Sequence, residues 1–158
     1  MIKEYTIKKG SIGPIILDMN KEAVRDAMKH ESELHLLERG VIPTHFPESD
    51  LFFDSSFIVE YNSQGFVETI TLMRDGGEVT PILEGKDIFA MVASDVIALC
   101  MNIYGEGQKK DFAIESCYSW DDQHITLQVL NDSNVIESIT VSRGGKGCIV
   151  SPLHTKIV

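Results

Sequence analysis

The alternation of apolar and polar positions marks most of this chain as strand, with two interruptions at helical spacing. Residues 2–8, IKEYTIK, alternate as one strand, and KGSIGP supplies a turn before the short apolar run Ile15, Ile16, Leu17. Asn20 then offers an N-cap, Glu22 suits the positive end of a helix dipole, and Ala23, Val24, Ala27 and Met28 share one helical face. The pattern runs on through HESELHLLERG to Gly40, so one long helix or a helix–loop–helix is expected there.

VIPTHFPESDLFFDSS holds two prolines and little periodicity, which predicts a long connection with short strands at most. A hairpin follows: Phe57, Val59 and Tyr61 alternate with Ile58 and Glu60, NSQG turns the chain, and Phe66, Glu68, Ile70 and Leu72 continue outward. VTPIL reads as an edge segment because of Pro81. From Asp87 to Tyr104 a second helix is expected, burying Ile88, Met91, Val92, Val96, Leu99, Cys100 and Ile103 and closed by Gly105. The last third returns to strands, through Phe112 and Ile114, SCYSW, HITLQVL, VIESITVS and CIVSPL.

NSQGFVETITLMRDGG at 62–77 aligns with NDSNVIESITVSRGGK at 131–146, an offset of 69 residues. The alignment sets Asn62 on Asn131, Glu68 on Glu137, Ile70 on Ile139 and Arg74 on Arg143. A helix precedes each hairpin, so the expected fold is one α+β domain with an antiparallel β-sheet, helices packed on one face, and two similar halves at 12–77 and 80–146. The opposite sheet face would be open to water or to a partner.

IGPIILDMNKEAVRDAM at 12–28 resembles the helix entry of tandem-repeat α+β proteins similar to the β-lactamase inhibitor protein. Met19 and Val24 match that pattern, Asp18 stands where it has glycine, and the second half does not keep it. The resemblance implies a helical pair on a sheet whose concave face meets a target enzyme. In size and acidity the chain is also similar to bacterial immunity proteins, which implies a toxin as target.

Composition sharpens the partner. The 158 residues carry 24 acidic and 14 basic side chains, a net charge of −10 and a pI near 4.8. Such a surface repels nucleic acid and anionic membranes and attracts basic proteins. The N-terminus lacks the apolar core of a signal peptide, and the most apolar stretch carries Asp87 and Asp95, so a soluble cytoplasmic monomer or homodimer is expected. Cys100, Cys117 and Cys148 have no CxxC spacing and are expected as reduced, mostly buried thiols.

Catalytic signatures are thin. SRGGKGC at 142–148 lacks P-loop spacing and has the counterpart RDGG after the equivalent strand, so it reads as a turn. WDDQH at 120–124 is the nearest approach to metal or acid–base chemistry, although adjacent aspartates on a loop usually point apart. No cofactor, metal or catalytic residue is expected. Two segments place aromatics among acids: Glu48, Asp50, Phe52 and Asp54 in one, Glu115, Tyr118, Trp120, Asp121 and Asp122 in the other. These form the expected contact surface for a basic partner, a toxin domain such as a nuclease, while core aromatics flanked by solvated turns remain the competing reading. The alternative function is a small-ligand- or metal-binding protein, or an enzyme, using the sheet face or the 120–124 loop.

Overall fold

The computed structural model describes residues 3–36 and 48–143. It begins with β1 (Lys3–Lys8), β2 (Ser11–Ile12) and β3 (Ile15–Ile16), a small antiparallel ribbon. Tyr5 and Ile7 alternate inward from β1. Gly13 lies flat on the Tyr5 ring at φ +56°, where a Cβ would come within 2.5 Å of Cγ. Asp18 adopts φ 73° and pairs with Arg143. Thus the position at which the resembled motif has glycine does take a left-handed backbone.

Helix α1 (Lys21–Met28) starts as expected, the Ala23 N–H donating to Asn20 Oδ1 at 2.8 Å, and it buries Val24 and Met28. The expected continuation is corrected: the helix stops after Met28. The next side chains are drawn elsewhere, with Glu31 accepting from Lys3 Nζ and Tyr5 Oη, and Ser32 Oγ accepting from the Phe53 N–H. Backbone β4 (His35–Leu36) follows.

Strands β5 (Ser49–Phe52), β6 (Phe57–Tyr61) and β7 (Val67–Met73) form an antiparallel meander. β5 is a short strand within the connection expected there, and all four of its residues are buried. β8 (Val79–Leu83) corrects the edge assignment of Pro81, because it lies between β1, which it pairs in parallel, and β9 (Lys86–Asp87). β9 pairs only with Ile82 and Leu83, so Pro81 needs no donor on that side.

Helix α2 (Ala93–Tyr104) begins later than its apolar pattern suggests. Asp87 Oδ1 accepts from the Phe89 and Ala90 N–H groups to build a turn, and Val92 is spent on a bridge to Val135. Val96 and Cys100 are buried, whereas Val92 and Ile103 are exposed. β10 (Gln108–Asp111), an exposed edge strand, β11 (Glu115–Trp120), β12 (Ile125–Leu130) and β13 (Val135–Ser142) complete the chain. The expected strand at CIVSPL and most of SRGGKGC lie outside the described residues.

The strands form a five-stranded sheet, β3-β2-β1-β8-β9, and an eight-stranded sheet, β10-β11-β12-β13-β7-β6-β5-β4. The large sheet is antiparallel throughout. Register carries one inward row, Phe52–Phe57–Leu72–Ile139–Leu127–Tyr118, across six strands. Val24 and Met28 of α1 and Val96 and Cys100 of α2 belong to the same core as these strand residues. The other face is not open at its middle, contrary to expectation, for Ile58, Thr71, Thr126, Gln128 and Ser138 are all buried.

Several local devices occur in pairs about the β7–β13 ladder. A register shift lies at Glu60/Tyr61 and another at Gln128/Val129, leaving Glu68 and Glu137 as the extra residues of their strands. Asn20 bridges Phe66, and Val92 bridges Val135. The Ser56 N–H donates to Phe53 O and the His124 N–H to Asp121 O; Met73 N–H then meets Ser56 O as Ser142 N–H meets His124 O.

Cys100 is a free buried thiol, but Cys117 is disulfide-bonded, which corrects the expectation of three reduced cysteines; Cys148 lies outside the described residues. Among the described residues no helix is long and apolar enough to cross a membrane.

Candidate functional site

The first expected contact segment is largely internal. Asp50 is fully buried on β5, and Arg25 of α1 forks onto it, Nε to Oδ2 at 3.0 Å and Nη2 to Oδ1 at 2.9 Å. Tyr61 Oη donates to the same Oδ2 at 2.7 Å. Burial, then the bond to Asp50, pushes the Tyr61 hydroxyl well above the ordinary tyrosine range. Phe52 is a core residue packed on Phe57. Asp50 and Phe52 are therefore corrected: neither side chain is presented to a partner. Glu48 remains exposed, paired with Lys21, whose ammonium lies 5.2 Å from the Tyr61 ring centroid. Asp54 is exposed in a left-handed turn spanning Phe53 to Ser55.

The second segment divides between interior and surface. Trp120 is buried, donating from Nε1 to Gly105 O at 2.9 Å, and it too is corrected as a surface aromatic. Gly107 accommodates its ring, since a Cβ there would lie 2.7 Å from Cε2. Tyr118 is half-buried against the core, with Lys109 Nζ 5.5 Å from its ring centroid. Asp121 and Asp122 begin a short 3-10 turn, Asp121–Gln123, closed by left-handed His124. Among the described residues no group of three His, Cys, Asp or Glu side chains could hold a metal ion. Glu115 lies at the other end of β11 from Asp121, roughly 20 Å away at strand rise.

Glu115 instead joins a different set. Register places Glu115 opposite Leu130, Leu130 opposite Val135, and Val135 opposite Val92. Paired strand residues project to one side, so the four form a row on the face turned away from the core. Val92 is 47% exposed, and the other three are half-buried. Glu137, the extra residue of β13, comes near Glu115 and Asp75, and Arg74 approaches from the end of β7. Burial, then the neighbouring Asp75, holds the Glu137 carboxyl above the ordinary glutamate range, Glu115 adding to this and Arg74 opposing it.

Of this set only Glu115 was expected from sequence. Glu137 carried a signal, its alignment with Glu68, but alternation alone cannot reveal a residue displaced by a bulge. Asp75 and Val92 come close only through the sheet.

Among the described residues, Lys3, Lys21, Arg25, Lys109 and Arg143 are in ion pairs with Glu31, Glu48, Asp50, Asp111 and Asp18. Part of the limited positive charge is thus neutralised within the chain. No protein-family model, curated protein or solved structure matches this chain.

Proposed function

We propose that this is a non-enzymatic acidic binding protein, an immunity protein that blocks a basic toxin domain such as a nuclease by occupying its cleft. The observation that carries the reading is the charge: a net −10 on one domain-sized chain, with internal ion pairs already taking up several of its cations. Carboxylates on such a surface stand in for the phosphates a nuclease would otherwise contact, and they speed encounter with a basic target.

The reading includes two similar halves, near 12–77 and 80–146, each a hairpin, a helix and an antiparallel meander, with both helices on the same side of the large sheet. Supporting it are the matched bulges, the matched bridges from each helix entry and the matched turn hydrogen bonds. The β1 hairpin extends the first unit toward the N-terminus.

A large secreted toxin encoded immediately upstream would support the reading, and co-production with the C-terminal domain of such a toxin tests the function. Expected are rescue of growth and a complex that weakens as salt rises. Equal killing with and without this chain, together with no complex at low salt, would overturn it.

A further inference from the structure

We propose that the row Glu115–Leu130–Val135–Val92, flanked by Glu137 and Asp75, is where a basic segment of a partner protein docks. The inference rests on the acidic-binder reading and names its surface. The middle of the outward sheet face is buried, but the row at its end stays accessible, with Val92 47% exposed. Neighbouring strands lie about 4.8 Å apart, so four residues in register make a strip roughly 15 Å long. That length fits a short extended peptide.

Apolar groups form the middle and one end of the strip, and carboxylates bound the rest. Leu130 and Val135 are half-buried side by side, Glu115 ends the row beyond Leu130, and Glu137 and Asp75 approach along β13 and the end of β7. Arg74, the cation that acts on Glu137 among the described residues, is only partly available to them. Arg74 donates from Nε to Ile136 O at 2.8 Å and lies over the Phe89 ring at 4.9 Å from its centroid. Three carboxylates thus lie within electrostatic reach of one another beside exposed apolar surface, with Arg74 offsetting them only in part. A lysine or arginine next to an aliphatic residue complements both features, and a polyanion such as nucleic acid complements neither.

The test is an NMR titration of the full chain with a short peptide of alternating arginine and leucine, with glutamate replacing arginine in the control peptide. Saturable shifts are expected at the amides of Glu115, Leu130, Val135 and Glu137 with the basic peptide alone. The double variant Glu115→Gln/Glu137→Gln should bind about tenfold more weakly, from two solvent-facing charge contacts. Glu4→Gln and Asp26→Asn, exposed and away from the row, should bind as the parent does. Should the double variant fold poorly, Glu115→Gln alone reads the same effect at about threefold.

Absent binding, shifts mapping elsewhere, or unchanged affinity in the glutamine variants would overturn the surface. Toxin protection is a separate readout. Loss of protection with intact peptide mapping removes the toxin reading only, whereas protection and toxin affinity unchanged in the double variant remove the surface only.

Discussion

Thr71 and Thr140 face each other across the middle of the eight-stranded sheet, their Oγ1 atoms 3.0 Å apart, and each sits on the innermost strand of its meander. They are 69 residues apart, the same offset that aligns the two hairpins in sequence. Residues matched by that alignment are therefore direct register partners across the β7–β13 ladder. Replacing either threonine by valine should cost about 1 kcal/mol by leaving the other hydroxyl without its partner. The double replacement should cost less than the sum, and additive denaturation midpoints would argue against the bond.

The Arg25–Asp50–Tyr61 network predicts an asymmetry. Arg25→Met leaves the buried Asp50 carboxylate, among the described residues, with Tyr61 as its remaining side-chain donor and should cost about 3–5 kcal/mol. Asp50→Ala leaves an arginine whose side chain is 38% exposed and can turn to water, and a neutral Tyr61 hydroxyl without its acceptor, so the loss should be smaller than for an unpaired buried carboxylate, near 2 kcal/mol. Urea unfolding of both variants orders them, and the reverse order would contradict the network.

Gly13 and Gly65 both take positive φ, but only Gly13 is pressed against a ring. Gly65→Ala should cost about 1 kcal/mol for backbone strain alone. Gly13→Ala adds a clash with Tyr5 and should cost roughly 3 kcal/mol or more, visible as a much larger drop in Tm. Equal drops would mean the ring moves aside freely.

Glu31 and Glu137 should respond to pH in opposite directions. Hydrogen bonds from Lys3 and then Tyr5 hold the Glu31 carboxyl below its ordinary value, so its stabilisation is present above the glutamate range and lost as pH falls through the folded value. Glu31→Gln should be destabilised at neutral pH, with the deficit shrinking in acid. Glu137 is held above its ordinary value, chiefly by burial, so its cost is present at neutral pH and disappears as pH falls through that raised value. Glu137→Gln should gain stability at neutral pH and lose the advantage in acid. Unfolding midpoints from neutrality down through the carboxylate range check both signs.

Burial, then the Glu84 charge, pushes the Cys100 thiol up to about 12, so it should resist alkylation in the native chain and react once unfolded. A peptide map made without reductant should recover Cys117 only in a disulfide. Persistent disulfides belong mainly to oxidising compartments. Alkylated Cys117 from freshly lysed cells would restore the reduced cytoplasmic expectation, and a bridged Cys117 would count against it.

The sequence was informative wherever one side chain decided the local structure. Asn20 capped its helix, the 57–73 hairpin formed where its alternation placed it apart from the bulge at Glu68, and the glycine-like position of the resembled motif took a left-handed backbone at Asp18. It misled where tertiary partners competed with local pattern. The helical spacing after Met28 gave way to Glu31 and Ser32 bonding elsewhere, and the apolar run from Ile88 was diverted by the Asp87 turn and the Val92 bridge. Phe52 and Trp120 looked like contact aromatics because acids flank them, yet both side chains belong to the core, and the strands that carry them are buried on both faces at these points. The row ending at Glu115 joins residues far apart in the chain, and no local pattern carries that information.

The β10 edge has a consequence for crowding. All four of its residues are exposed, and Lys109 and Lys110 sit at its centre with Asp111 beside them. A second copy adding antiparallel to this edge would bring lysine against lysine, at a spacing where like charges disfavour pairing. Sheet extension from molecule to molecule is blunted on that side. Concentrated solutions are thereby guarded at this edge against fibre growth without any need for a covering loop.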